Sequence, residues 1–248
     1  MTSPRDTMFG VIAAVAIATS CRAVASIEVV YGPISDSNLR AALKERRIGE
    51  HLRSHLIAFA PTADLRLVIA DCGIANAFYR HGGLVHEIQV CAELLDQFVR
   101  QQRDTGAGAR GAGGAALWVT GHELGHYLIQ RHRVPLLGRE EDAADQVGFA
   151  IIMRSRIPSE ALIGTLRYFD RSPEHQDPGD VHSLDATRRV NMACWAYGTT
   201  RAKFSELAAI IPADRLPRCR GEAVGLWRAI QHLEKSARAS GRRPNSRS

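Results

Sequence analysis

The chain has 248 residues, 45% of them hydrophobic, which is enough to bury a sizeable core in one large domain or two small lobes. Its formal net charge is +6, but basic and acidic residues are equal in number between residues 26 and 234. The positive excess lies at the two ends, so a nucleic-acid-binding core is not supported. Residues 235–248, rich in Ser, Arg and Gly, are predicted to form a basic, disordered tail.

Residues 1–25 have the layout of a secretory signal peptide. Arg5 precedes an apolar run from Phe9 to Thr19, which is too short to span a bilayer, and Ala23-Val24-Ala25 forms a cleavage site. The alternatives are a buried N-terminal helix and a lipid anchor on Cys21, whose preceding residues are a poor lead-in for lipidation. The sequence therefore predicts export to the periplasm or out of the cell, with no transmembrane segment in the mature chain.

Four cysteines remain after cleavage: Cys72, Cys91, Cys194 and Cys219. An even number in an exported chain favours two disulfides, and four cysteines allow three pairings. We favour Cys72–Cys91 and Cys194–Cys219, because each of these pairs closes a short local loop. A cysteine-based zinc site is less favoured, because no two cysteines are close in sequence.

In chain order, the hydrophobic pattern predicts a strand over residues 26–31 and one long helix over residues 38–59, capped by Asp36. His51 and His55 have i, i+4 spacing on this helix. The residue after His51 is a leucine, so no hydrolytic base accompanies the pair. We interpret these histidines as part of a solvent-exposed helix face and not as metal ligands.

A buried strand is predicted over residues 65–70, followed by a hairpin of strands over residues 76–80 and 86–90 and a helix over residues 92–102.

Residues 106–111 match the dinucleotide pattern Gly-x-Gly-x-x-Gly. They follow a helix instead of a strand, and the acidic residue expected about 20 positions further on is missing. We interpret this segment as a flexible connector.

The second half of the chain is predicted to be helical. Ser183 is expected to cap one helix, and Gly198 to end it. Strands that come first and helices that follow favour an α+β fold, with an α/β part over residues 26–133 and a helical part over residues 134–234. The predicted helices cover about residues 115–130, 139–155, 158–170, 183–197, 201–210 and 221–238.

The helix over residues 115–130 contains the pattern His122-Glu123-x-x-His126. The i, i+4 spacing places both imidazoles on one helix face, where they can bind one Zn²⁺. Glu123 is placed to act as the general base on a zinc-bound water. Because so short a pattern also arises by chance, the interpretation requires a third ligand.

The next predicted helix offers that ligand, since Glu141 and Asp145 again have i, i+4 spacing. A carboxylate from Glu141 completes a His₂Glu set and leaves the fourth position open for water, while Asp145 can accept the ring N–H of a ligating histidine. Glu140 and Asp142 are explained by the preference of acidic residues for a helix N-terminus. We predict one zinc ion per chain, bound by His122, His126 and Glu141.

These residues resemble the pattern of the gluzincin metallopeptidases, in which Glu-x-x-x-Asp follows His-Glu-x-x-His on the next helix. From about Leu65 to Cys219, the chain is also similar to a family of exported bacterial proteins assigned as metallopeptidases. The resemblance implies a zincin-like fold: a small mixed or antiparallel sheet whose edge strand lies over the metal, an active-site helix and a mainly helical C-terminal lobe that carries the third ligand. The matching segments are residues 71–73, 76–79, 91–95, 138–145 and 182–198, with the signature helix.

The resemblance also implies a residue that stabilises the oxyanion of the tetrahedral intermediate. In several gluzincins, a His or Tyr of the C-terminal lobe does this, and His182 with Arg188 resembles a His-x-x-x-x-x-Arg element of one gluzincin branch. A surface histidine beside a helix cap is the alternative interpretation. Tyr197 and Tyr168 are further candidates for the same role.

The predicted function is hydrolysis of a peptide or protein substrate by a zinc-activated water, with Glu123 as the general base. We expect an extended peptide to pair with the strand around Ile88 as an added edge strand, so that proline at Gln89 would impair cleavage. Two other functions stay open. One is a non-catalytic, zinc-stabilised binding protein, and the other is a metal-dependent amidase that acts on cell-wall peptides.

Overall fold

The computed structural model of the chain describes residues 27–61, 63–82, 85–103, 107–171, 177 and 180–240. The predicted signal peptide, including Cys21, lies outside these residues, and so does the last part of the predicted tail, residues 241–248. Residues 235–240 belong to the last helix, so the predicted start of the tail at residue 235 is wrong. Ala237 in this segment is buried, which fits the helix predicted over residues 221–238 and not a disordered tail from residue 235.

Within the residues that the structure describes, four strands form one mixed sheet in the order β1-β2-β4-β3. β1 (Ile27–Tyr31) pairs in parallel with β2 (Leu65–Ala70), and β2 pairs in parallel with β4 (Val85–Cys91). β3 (Ala77–Gly82) pairs with β4 in the antiparallel direction and is an edge strand of this sheet. The sheet and the helices that follow it confirm the predicted α+β class.

The strand that contains Ile88 is central, so the prediction that a substrate peptide pairs with it is wrong. Ile88 lies opposite Leu67 on one side and opposite Tyr79 on the other, and both edges of its backbone are therefore used. The free edge on this side of the sheet belongs to β3 instead. The sequence predicted the hairpin of β3 and β4 but contained no signal for which of the two strands joins β2.

The long helix predicted between the first two strands is broken into α1 (Ser37–Glu45) and α2 (Ile48–Phe59). The predicted cap is confirmed, since the Asp36 side chain accepts hydrogen bonds from two backbone N–H groups of α1. Arg47 has a φ of 51° and turns the chain between the two helices. The backbone N–H of Gly49 then donates to the hydroxyl of Tyr31, which fixes the start of α2 on the sheet.

Most of the remaining helices pack against α4, whose residues between Gly111 and Ile129 are nearly all buried. α4 begins at Gly108, so the glycine-rich segment predicted to be a connector forms its first turns; residue 106 lies outside the described residues. One continuous hydrophobic core joins the sheet to the helical part. The helices are α3 (Ala92–Gln102), α4 (Gly108–His132), α5 (Glu140–Met153), α6 (Pro158–Arg171), α7 (Asp185–Thr199) and α8 (Cys219–Ser240), with 3₁₀ turns at Ser205–Ile210 and Leu216–Arg218.

Both signals predicted for the ends of α7 are wrong. Ser183 does not cap the helix, because its hydroxyl donates to Asp142 of α5 and no side chain caps the position before Asp185. Gly198 does not end the helix but lies in its last turn. A Cβ atom at Gly198 would lie 2.0 Å from the carbonyl oxygen of Cys219, so this glycine allows close approach of α7 and α8.

Both predicted disulfides are present. Cys72–Cys91 joins the segment after β2 to the end of β4, and Cys194–Cys219 joins α7 to the start of α8. Two disulfides are compatible with an exported protein. Among the helices of the described residues, none combines the length and the apolar character needed to cross a bilayer.

Candidate metal centre

α4 carries the two histidines of the His-Glu-x-x-His pattern on one face. Their Nε2 atoms lie 3.2 Å apart. His122 is almost completely buried beside the ring of Trp118, and His126 is half-buried. The two rings therefore direct the same nitrogen atom toward a shared position beside the helix.

Glu141, in the first turn of α5, reaches both histidines. Its Oε2 atom lies 3.1 Å from Nε2 of His122 and 3.3 Å from Nε2 of His126. Ligand atoms that are each about 2.0–2.1 Å from a tetrahedral zinc ion lie about 3.3–3.4 Å from one another. The three atoms form a triangle of nearly this size, so the residues present fit a zinc ion.

The Oε2 atom of Glu141 is buried and lies 3.0–3.3 Å from the Nε2 atoms of His122, His126 and His182. Burial raises the pKa of this carboxyl, but His122, His126 and His182 lower it to far below the usual range of a glutamate. The carboxyl is therefore ionised at neutral pH. A buried, ionised carboxylate oxygen that faces several imidazole nitrogens is an arrangement that suits a divalent cation such as zinc.

Asp145, one turn further along α5, fixes the ring of His122, with 2.8 Å between Oδ1 and Nδ1. Arg188 of α7 donates to Asp145 from Nε (2.9 Å) and from Nη2 (2.7 Å), and its guanidinium lies over the rings of Trp118 and Phe169. Burial raises the pKa of Asp145, but Arg188 and His122 hold it at about 2. The ionised carboxylate accepts the Nδ1–H of His122, which leaves Nε2 free for a metal.

Glu140 fixes the ring of His126 in the same way, with 2.8 Å between Oε1 and Nδ1. Its side chain is 49% exposed, so this contact is weaker than the buried one between Asp145 and His122. The interpretation of Glu140 as an acidic residue that only favours the helix N-terminus missed this contact. Acidic residues are common in the first turn of a helix, so no sequence pattern indicated this contact.

Glu123 is buried, and its Oε2 atom accepts a hydrogen bond of 2.6 Å from the backbone N–H of Tyr79 in β3. The hydroxyl of Tyr79 contacts Oε1 of Gln130 in α4 (2.6 Å) and Nδ1 of His86 in β4 (2.7 Å). One residue of the edge strand is thus bound to the helix through both its backbone and its side chain. No sequence pattern indicated this role for Tyr79.

His182 lies in the segment before α7, and its Nε2 atom is 3.0 Å from Oε2 of Glu141. Its Nδ1 atom lies 3.2 Å from Oδ1 of Asp180. The side chain of Arg139 donates to the carbonyl oxygens of Asp180 and His182, at 3.4 and 3.2 Å. These contacts fix His182 against the start of α5. Its Nε2 atom is as close to Glu141 as the Nε2 atoms of His122 and His126 are.

One cavity of about 510 Å³ is lined by β3, α4 and α5. The three proposed ligands border it, and so do two further residues, Glu123 and His182. The two tyrosines considered for the oxyanion role do not line it. Tyr168 is buried against Phe98 and Trp118, and Tyr197 lines a different cavity near the start of α8. The cavity therefore brings together one carboxylate, one further histidine and three side chains that could hold a metal ion, and such a set of groups is suited to hydrolysis.

Residues 34–231 match the model of a family described as "Putative metallopeptidase", and the matched stretch includes every residue of the cavity described above. No curated protein and no solved structure gives a significant match. Because the match covers most of the chain, it shows the family, and the family implies a metal ion at the site. The chain belongs to this family of metallopeptidases.

Proposed function

We propose that the protein is a zinc-dependent peptidase of the gluzincin type, with His122, His126 and Glu141 as the metal ligands. The observation that supports this most strongly is the triangle of three ligand atoms, 3.1–3.3 Å apart. Glu123, which follows His122 in the chain, lies in the same cavity and is not one of the three proposed ligands. A purely structural zinc site has no need of such a carboxylate.

When bound, zinc supplies a Lewis acid that polarises the substrate carbonyl and lowers the pKa of a water molecule. Glu123 accepts a proton from that water on a carboxylate oxygen and then delivers it to the nitrogen of the leaving amine. The backbone N–H of Tyr79 holds one oxygen of Glu123 at 2.6 Å, which fixes the direction of the carboxylate. The neighbouring edge strand thereby positions the general base.

His182 is proposed to stabilise the negative charge that develops on the substrate carbonyl oxygen. Its contact with Asp180 through Nδ1 leaves Nε2 directed into the cavity, near Glu141. A donor fixed in this way needs little rearrangement during the reaction. Removal of one such donor lowers the rate by about 10²–10³-fold in well-studied hydrolases.

The substrate peptide is proposed to add to the free edge of β3. Asn76 and Cys91 form a hydrogen-bonded pair, and such pairs alternate along an antiparallel ladder. The backbone groups of Ala77, Tyr79 and His81 therefore point away from β4, toward the side where a peptide can bind. Since Glu123 already uses the N–H of Tyr79, we expect the peptide to bond chiefly to Ala77 and His81 on either side of the general base.

The proposal is tested by the zinc content and the peptide cleavage of three proteins: wild type, Glu141→Ala and Glu123→Gln. We expect about one zinc per wild-type chain, and cleavage of some members of a peptide library. Glu141→Ala should lose most of the zinc, because a ligand is missing. Glu123→Gln should keep the zinc and lose cleavage by about 10²-fold or more. Full zinc occupancy in Glu141→Ala would contradict the ligand assignment.

A second candidate function is a non-catalytic, zinc-stabilised protein, and the position of His182 favours it. His122, Glu141 and His182 each offer a ligand atom, and these atoms lie within 4.8 Å of one another, so His182 is near enough to close the fourth position. In that case, His182→Ala would weaken zinc binding sharply, and the wild type would show no peptide cleavage for Glu123→Gln to lose. A peptidase instead keeps its zinc in His182→Ala and loses turnover.

We also infer that the protein is exported. The inference rests on the signal-peptide pattern of residues 1–25 and is compatible with the two disulfides. A mature protein recovered outside the cytoplasm with Ser26 as its first residue would establish it.

A further inference from the structure

A second cavity, of about 480 Å³, lies between α2, the N-terminal half of α4 and the segment that joins α5 to α6. None of the proposed metal ligands lines it, and its size is that of small-molecule sites. Most of its wall is apolar. The apolar side chains that form the wall are Ile48, Leu52, Ala116, Leu117, Ile157 and Ala161.

Three basic side chains border this cavity: His51, His55 and Arg156. His51 and Arg156 are exposed, and His55 is partly buried. The three side chains line the same cavity, and His51 and His55 lie one turn apart on α2. Burial lowers the pKa of His55, and the nearby His51 and Arg156 lower it further. Among the described residues, no carboxylate lines the cavity. The i, i+4 histidine pair noted in the sequence thus belongs to a cluster of basic groups beside an apolar wall.

We propose that this cavity binds a carboxylate with an aliphatic chain, a free fatty acid, with its head at Arg156 and the two histidines. A guanidinium matches the geometry of a carboxylate, and the apolar wall is complementary to a single aliphatic chain. A metal ion fits the same residues poorly. Only the two histidines are suitable ligands, and the guanidinium of Arg156 repels a cation.

A large side chain introduced at Gly113 should occupy the cavity and block a ligand. It lines the cavity, and a Cβ atom at this position would meet nothing within 4 Å. Gly113→Phe therefore places a ring in or across the space where a chain would lie. Gly225 of α8 is a matched control, because a Cβ atom there also meets nothing within 4 Å and the residue does not line the cavity.

The test is isothermal titration calorimetry of the full mature protein with decanoate below its micellar concentration. We expect one decanoate per chain, binding that is at least about fivefold weaker in Arg156→Ala, and no detectable binding in Gly113→Phe. Gly225→Phe should bind as the wild type does. Uncharged 1-decanol should bind at least about fivefold more weakly than decanoate. Acetate, which lacks the chain, should not bind.

Glu141→Ala separates this proposal from the peptidase proposal, because a carboxylate can also bind a catalytic metal. Decanoate binding that persists in Glu141→Ala assigns the ligand to the second cavity, whether or not the protein is a peptidase. Binding that is lost in Glu141→Ala, or that is equal for decanoate and 1-decanol, would overturn the proposal. If Gly113→Phe does not fold, Arg156→Ala decides, since its side chain is exposed, and unchanged affinity in that variant would also overturn it.

Discussion

Two carboxylates of α5 hold the two histidines of α4 at their Nδ1 atoms. Asp145 holds His122 and is itself held by Arg188 in a buried contact, whereas Glu140 holds His126 at the protein surface. The role of Asp145 was predictable, because its spacing from Glu141 repeats that of the histidines. The role of Glu140 was not. Acidic residues in the first turn of a helix are common for electrostatic reasons alone, so their presence does not indicate a specific contact.

The metal-free protein should lose stability as the pH rises above about 6.5. Burial lowers the pKa of His122, but Asp145 and Glu141 stabilise its cation and raise the pKa to about 9. A group whose pKa is raised by folding contributes stability below its unfolded pKa, near 6.5, and that contribution is lost as the pH rises through about 9. Zinc binds the neutral ring, so the stabilisation by zinc should grow over the same range.

This pH dependence is measured as the melting temperature in EDTA and in zinc, from pH 6 to pH 9.5. The difference between the two conditions should increase with pH. His122→Asn is the control, because it lacks the titrating group and should remove most of the pH dependence in EDTA. A difference between zinc and EDTA that stays constant across this range would contradict the role of His122.

At the scale of elements, the close packing of α4 on α5 determines where the proposed third ligand, Glu141, lies. A Cβ atom at Gly125 would lie 2.7 Å from Cα of Ala144, so only glycine allows the helices to approach to this distance. Glu141 and Asp145 lie on either side of Ala144 in α5. The approach of the two helices therefore sets the distance from these carboxylates to His122.

Gly125→Ala should weaken both the fold and the metal site. The added methyl group meets backbone atoms of α5, which cannot move aside as a flexible side chain can, so we expect a loss of about 1–3 kcal/mol in the free energy of unfolding. Because α5 carries Glu141, the affinity for zinc should fall as well. Urea denaturation and competition with a zinc chelator measure the two effects.

Gly113→Ala is the matched control for this prediction. It lies in the same helix, and its added Cβ atom meets nothing within 4 Å. Since alanine favours a helix more than glycine by up to about 1 kcal/mol, this variant should be as stable as the wild type or more so, with unchanged zinc affinity. Equal losses in the two variants would mean that helix conformation, and not helix packing, causes the effect.

The edge strand provides a second prediction at this scale. His81→Pro removes a backbone N–H that points away from β4, and so it leaves the ladder of β3 and β4 intact. If a peptide pairs with β3, the variant should raise KM for peptide cleavage several-fold with a smaller effect on kcat. His81→Ala removes the ring and keeps the N–H, and its KM should stay near that of the wild type. Equal KM values for the two variants would exclude pairing at His81.

Local patterns predicted most elements of this fold, and the errors have a common cause. The break between α1 and α2 depends on a positive φ at Arg47, a residue type that gives no sign of it, and on the contact of Gly49 with Tyr31. The early start of α4 depends on burial against neighbouring helices, which compensates for the low helix propensity of glycine. In each case, a contact with a distant part of the chain outweighs the local preference.

At the scale of the whole molecule, one disulfide lies in the sheet and the other in the helical part of the chain. Cys72–Cys91 closes a loop of 19 residues in the sheet, and Cys194–Cys219 closes one of 25 residues between α7 and α8. Their pairing was predictable from loop length alone. Their relation to the site was not, because it depends on strand order: Cys91 pairs with Asn76, directly before the edge strand β3.

Removal of either disulfide should destabilise the protein by a similar amount, but only one removal should impair cleavage. For loops of these lengths, the loss of chain entropy in the unfolded state corresponds to about 3 kcal/mol for each disulfide. Cys194→Ala/Cys219→Ala should lose about that much stability and, when folded, keep its turnover. Cys72→Ala/Cys91→Ala should also lose turnover, because the segment that leads into β3, and with it the contact of Tyr79 with Glu123, is less constrained.

Urea denaturation and peptide cleavage at a temperature where both variants are folded measure these effects. Equal turnover in the two double variants would show that the disulfide of the sheet does not position the edge strand.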